Sequence, residues 1–169
     1  NNVSDNASYG IVLHKSRGNH LSGNILNANK YNFFVDGGTS DPSNDINFNN
    51  DVDTTNLIDG KPIYYLNGVS NQTFDATSNA GLFYCFNCDN VTIRDVTLTP
   101  NQTAVYLRNT SNSHVLNVSV PGSWDGIILE RTANCEIAGT NASANHDTGI
   151  FVWDSSGALV HGNVINENL

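Results

Sequence analysis

Positive charge is the scarcest feature of this chain. Lys and Arg number 7 against 16 Asp and Glu, giving a formal net charge of −9. Phosphate binding needs a basic stripe, so nucleic acid is not an expected partner. No apolar run approaches the ~20 residues that cross a bilayer, and no basic-then-apolar leader opens the chain. No membrane span is therefore expected in this segment. Three cysteines, Cys85, Cys88 and Cys135, are too few for a disulfide framework. Methionine is absent, and Lys, Glu and Gln are sparse, which removes most good helix formers.

Asparagine takes their place, at 28 residues. Asn tolerates left-handed backbone and bonds its own neighbouring backbone, so the bias predicts many tight corners and few helices. Eight Asn-x-Ser/Thr triplets occur, at Asn2, Asn6, Asn71, Asn90, Asn101, Asn109, Asn117 and Asn141. With the acidity and the low Lys content they point to an extracellular, cell-surface or periplasmic protein. The expected glycosylation positions are Asn71, Asn101 and Asn109, where a corner or loop turns the side chain outward.

A repeat organises the chain. Residues 10–29 align without a gap on residues 149–168, with eight of twenty positions identical. A short residue followed by three apolar ones recurs at Gly10, Asn32, Gly81, Ala104, Gly126 and Gly149, mostly 22 or 23 residues apart. A second alternating stretch follows each start, as in Val91-Thr92-Ile93 or Val115-Leu116-Asn117-Val118. Short β-branched strands at this period, with no helical segment, predict an all-β, right-handed parallel β-helix. About six to seven coils are expected over residues 1–169, each adding one strand spacing of ~4.8 Å. The 49-residue gap between Asn32 and Gly81 predicts one irregular coil at about 57–78, entered through Asp59-Gly60-Lys61-Pro62, and a lengthened loop over residues 37–42.

The segment from Asp51-Val52-Asp53-Thr54-Thr55-Asn56 through Asp59-Gly60-Lys61-Pro62-Ile63-Tyr64-Tyr65 resembles NosD-like β-helix repeat proteins. Residues Ala80–Tyr84 and Asn90–Ile93 fit that family's next coil. The resemblance implies a right-handed β-helix on a periplasmic or surface protein. The family takes its name from a periplasmic accessory to copper-enzyme maturation, and most members carry no established activity. That accessory role is the alternative to a structural one.

Strand alternation sorts the faces. Ile11, Phe33, Leu82, Val105, Ile127 and Ile150 are expected inside, with Leu13, Val35, Tyr84, Leu107, Leu129 and Val152 two positions on. Between them an apolar column is expected to face out: Val12, Phe34, Phe83, Tyr106, Ile128 and Phe151. Beside it run His14, Asp36, Cys85, Arg108, Glu130 and Trp153. A column this long invites a cover. The excursion at 57–78, another chain or domain, or a glycan stacked on the aromatics would each supply one. The expected binding face is thus Phe34, Phe83, Tyr106, Phe151, Trp153, Arg108 and Glu130, with Arg108 and Glu130 paired on the surface.

No catalytic residue is assigned. Asn145-His146-Asp147, or Asp36 with Asp125 or Asp147, would be needed for a polysaccharide lyase, hydrolase or epimerase, the rival to a scaffold. Cys85-Phe86-Asn87-Cys88 lacks a second ligand pair for zinc, and its redox state is open. A Cys88–Cys135 disulfide is not expected across two coils. The five His are scattered, so no metal is assigned, although calcium between Asp51 and Asp53 is conceivable chemistry. Uncapped ends predict stacking on further β-helix, as neighbouring copies or domains.

Overall fold

The computed structural model describes every residue except Ser40, which lies within the expected loop at 37–42. The chain forms a parallel β-solenoid of about seven turns. Its strands are β1 (Asn2–Ser4), β2 (Tyr9–His14), β3 (His20–Leu21), β4 (Ile25–Asn27), β5 (Tyr31–Asp36), β6 (Asp51–Val52), β7 (Leu57–Ile58), β8 (Lys61–Asn67) and β9 (Ser70–Phe74). They continue as β10 (Leu82–Phe86), β11 (Asp89–Arg94), β12 (Thr103–Arg108), β13 (His114–Leu116), β14 (Asp125–Glu130), β15 (Glu136–Ala138), β16 (Ile150–Trp153) and β17 (Leu159–His161). Among the described residues no helix is long and apolar enough to cross a membrane.

Five coils over residues 61–169 stack regularly. One wall runs β8-β10-β12-β14-β16 and a second runs β9-β11-β13-β15-β17, all parallel. The third side is held by single bridges such as Thr97 to Ser119 to Asn141 to Val164. The composition explains the corners. Among the described residues, eight of the seventeen non-glycine positions with positive φ are Asn, the residue that best accepts left-handed backbone. Stacked corners then bond their amides along the solenoid, as Asn109 to Asn87 to Asn67 does. A small residue opens each coil for a steric reason: a Cβ on Gly126 would lie 2.4 Å from the Gly149 carbonyl oxygen.

Residues 1–58 depart from the expected single stack. They make two coils, with β1-β4-β7, β2-β5 and β3-β6 as their walls. Neither β2 nor β5 continues into β8. Instead β7 and β8 pair antiparallel through Asp59-Gly60, whose φ values of 47° and 81° suit a hairpin turn of the primed type. The reversal lays the two coils against the outside of the first wall. Their inward residues Leu26, Phe33, Val35, Phe48 and Ile58 share one core with Ile63, Tyr65, Leu82, Tyr84, Phe86 and Tyr106 from that wall. A second core, with Phe83, Cys85, Val105, Leu107, Ile127 and Leu129, fills the five-coil interior.

Three expectations are thereby corrected. β10 is one residue out of the expected register: Phe83 pairs with Val105, Tyr84 with Tyr106 and Cys85 with Leu107. Phe83 and Cys85 therefore point inside, while Leu82 and Tyr84 lie on the outer face. The segment at 57–78 is mostly a regular coil, with β8 and β9 paired to β10 and β11; the irregular insertion is the 3-10 turn Pro42–Phe48. The outer column is covered, but by the two N-terminal coils. Among the described residues no strand pairs beyond β16, and Val152 is 40% exposed.

The interior also closes the Cys85-x-x-Cys88 motif. Cys85 and Cys88 form a disulfide with Cα atoms 5.9 Å apart, and Cys135 is a free, buried thiol.

Candidate functional site

The seam between the N-terminal coils and the first wall does not close fully. A cavity of about 200 Å³ remains, walled on one side by Phe34 to Thr39 and Phe48, and on the other by Tyr106, Arg108, Asp125 and Glu130. Phe151 and Trp153 of β16 stand at its lip. The ladder places them: Tyr106, Ile128 and Phe151 are successive partners across β12, β14 and β16, as are Arg108, Glu130 and Trp153. The N-terminal coils cover Tyr106, Arg108 and Glu130, but leave Phe151 at 42% and Trp153 at 48% exposure. Their ring centroids lie 6.1 Å apart. Phe34, half-buried, stacks on Tyr9 at 6.0 Å.

Arg108 and Glu130 do pair, but in the interior and not on the surface: they are 3% and 5% exposed. The Tyr106 hydroxyl donates to the other Glu130 oxygen. Arg108 Nε lies 3.0 Å from Asp45 Oδ1, which Arg131 also reaches. The Arg108 guanidinium sits 4.6 Å from the centroid of the Phe48 ring. The inserted 3-10 turn thus supplies both a carboxylate and an aromatic cover to a buried arginine. Yet Arg108 Nη2 and Thr103 Oγ1, both buried on residues lining the cavity, have no hydrogen-bond partner among the described residues. Buried donors left unpaired are costly, and are uncommon away from ligand sites.

Two more carboxylates line the cavity. Asp36 is held by His14 Nδ1 at 2.7 Å and by the Gly38 amide at 2.8 Å. Burial, and then the nearby Asp147, push Asp125 up to about 6. Asp36 and Asp125 thus meet on one cavity, while Asn145 is buried in a corner ladder with Ser123 and Asn168.

Six of the seven expected binding residues line this cavity: Phe34, Tyr106, Arg108, Glu130, Phe151 and Trp153. Phe83 does not. It is fully buried inside the solenoid, 4.9 Å from Tyr64 and 5.5 Å from Phe74 by ring centroid. Asp45 and Thr103 join the site with no local signal, since their partners lie far along the chain. Of the glycosylation positions, Asn71 and Asn109 are exposed at corners. Asn101 is 0% exposed. Its amide donates to Phe33 O at 2.7 Å and accepts from Phe33 N at 3.0 Å. It therefore acts as a surrogate strand for β5 and is closed to modification.

The remaining polar clusters are spoken for. Asp51 pairs with His20, and Asp53 caps the turn at Thr55 and Asn56, so the two carboxylates do not converge on a calcium site. Glu136 bonds His114 and His161 at 2.9 Å each. Among the described residues no three His, Cys, Asp or Glu are grouped to hold a metal ion.

Among curated proteins and among solved structures nothing matches the chain. A family described as periplasmic copper-binding protein (NosD) matches residues 48–169. That span holds the Asp59-Gly60 hairpin, all five regular coils and the solenoid side of the cavity. The periplasmic description agrees with the extracytoplasmic character of the composition. The chain belongs to the NosD family of parallel β-helix proteins.

Proposed function

We propose that this protein is a non-catalytic extracytoplasmic or cell-surface scaffold whose seam cavity contacts a saccharide. One observation carries the reading: two exposed aromatic rings, Phe151 and Trp153, flank a buried Arg108–Glu130–Tyr106 network that leaves Arg108 Nη2 and Thr103 Oγ1 unpaired. Sugar rings present apolar faces that stack on aromatics, and edge hydroxyls that both accept and donate. Calorimetric titration with a panel of neutral and acidic oligosaccharides tests it. At least one should bind, and Trp153→Ala should weaken that binding about tenfold or more. A panel without a binder, or binding indifferent to Trp153, would overturn the reading.

A copper role is the function that the family description suggests, and the donor set does not fit it. Copper sites draw on thiolate, thioether or clustered imidazole. Methionine is absent, Cys85 and Cys88 are bonded to each other, and Cys135 is buried alone. The five histidines are spread along the chain, and among the described residues no three His, Cys, Asp or Glu are grouped to hold a metal ion.

One observation favours a second reading, sugar cleavage. Asp36, Asp125 and Glu130 converge on the cavity with Arg108, and burial pushes Asp125 up to about 6. Against it, both oxygens of Glu130 and of Asp36 are already bonded, and Thr148 hydrogen-bonds Asp125, so no carboxylate of the cavity stands uncommitted. Product formation from bound oligosaccharide, abolished by Asp125→Asn, would favour cleavage over simple contact.

A further inference from the structure

A second opening lies along the same seam. It is a cleft of about 410 Å³ lined by Ser8, Tyr9, Lys30, Tyr31, Gln102 and Trp124. Three aromatic rings form its walls: Tyr31 lies 5.4 Å from Tyr9 and 6.2 Å, edge-on, from Trp124. Trp124 is 37% exposed. The Tyr9 hydroxyl donates to Gln102 Oε1 at 2.9 Å and fixes the cleft across the seam. Tyr31 is only 5% exposed, yet its hydroxyl has no partner among the described residues. Lys30 Nζ sits 5.2 Å and 5.9 Å from the Tyr31 and Trp124 ring centroids. Among the described residues it makes no ion pair.

The cleft adjoins the cavity residue by residue. Gln102 lines the cleft and Thr103 the cavity, Trp124 the cleft and Asp125 the cavity, and Tyr9 stacks on Phe34 between them. Resting on the saccharide reading of the cavity, we propose that this cleft is a second sugar subsite selecting a residue with one anionic group. A glycan of two or more sugars would then span both openings. The exposed Trp124 ring takes a sugar face, and the Lys30 ammonium, with no ion-pair partner among the described residues, takes the acid. The charge around the cleft limits the ligand. Asp125 follows Trp124 in the chain, the Asp147 amide bonds the Trp124 carbonyl, and Asp36 acts on Tyr9. A run of acidic sugars would meet these carboxylates, so the occupant carries a lone acid among neutral sugars.

The chain has two tryptophans, and each opening holds one. Trp153→Phe leaves Trp124 to report the cleft, and Trp124→Phe leaves Trp153 to report the cavity. The probes are a glucuronate-bearing xylobiose and the neutral xylotriose, followed by tryptophan emission. The acidic trisaccharide should shift both reporters. Lys30→Gln, at an exposed position, should weaken it about fivefold while leaving xylotriose within about twofold. A response from Trp153 without one from Trp124, or equal weakening of both sugars by Lys30→Gln, would remove the second subsite and leave the cavity reading standing. Silence of both reporters toward both sugars would likewise remove the second subsite, whereas the cavity reading falls only when the wider oligosaccharide panel holds no binder.

Discussion

Asn101→Ala probes how the two N-terminal coils are held. The Asn101 amide makes two buried hydrogen bonds to the backbone of Phe33, 68 residues away, and both residues are 0% exposed. Alanine would leave one N–H and one carbonyl of β5 without partners in an apolar seam. Each such loss costs about 1–3 kcal/mol, so the expected penalty for the two is about 2–6 kcal/mol. Asn101→Asp is sharper. Its carboxylate still accepts from Phe33 N but faces the Phe33 carbonyl, and burial raises its pKa above the unfolded value. The stability that the aspartic acid contributes is then present in acid and lost as pH rises through the folded pKa. Urea unfolding followed by Trp124 emission and by far-ultraviolet circular dichroism measures both variants. Trp124 contacts Tyr31 of the N-terminal coils, so emission should change at lower urea than the dichroism of the five regular coils. An Asn101→Ala midpoint within about 0.5 kcal/mol of the parent would refute the reasoning, because two buried bonds cannot vanish at that cost.

Other outcomes follow from the same geometry. Arg108→Met should cost about 3–5 kcal/mol by stranding the buried Glu130, since Asp45 keeps Arg131, and adding Glu130→Met should recover part of the loss in the same urea assay; a double variant no more stable than the single one would contradict the buried pairing. Asp125 has a folded pKa of about 6, above its unfolded value, so its stabilising effect is present in acid and lost as pH rises past 6. Asp125→Asn should therefore gain about 1–2 kcal/mol above pH 7 and nothing below about pH 4, after allowance for solvent screening, as read from midpoints across pH. On secretion through a glycosylating cell, peptide mass mapping should find sugar at Asn71 or Asn109 and none at Asn101.

The coil period was legible because corners and strands repeat locally. Gly10 and Gly126 recur under the same close contact, the carbonyl oxygen of the residue that opens the next coil (Asn32 and Gly149), and Asn recurs where φ turns positive. The face assignment failed at β10 for a physical reason. Leu82, Phe83, Tyr84, Cys85 and Phe86 are all buried, one set in each core. A strand buried on both sides reads as a continuous apolar run, and alternation then carries no information about register. The reversal at Asp59-Gly60 did carry a signal, since Asp-Gly between apolar stretches is a hairpin turn. Its consequence, two coils folded onto an outer wall, depends on contacts more than 60 residues apart. Asn101 looked like an exposed sequon for the same reason. Its ladder with Ser123 and Asn145, at the coil spacing, was the one hint that it belongs to a buried corner. Tyr106, Arg108, Glu130, Phe151 and Trp153 share one cavity despite the register error at β10, because they lie on β12 to β16, where the repeat is regular.

The central claim is that the seam cavity, and not the open second wall, meets a saccharide. Hydrogen exchange with and without a bound oligosaccharide tests it most directly. The account predicts protection gathered at residues 34–39 and 151–153, with β9, β11, β13, β15 and β17 unchanged. Protection confined to those five strands, or none at saturating sugar, would contradict it.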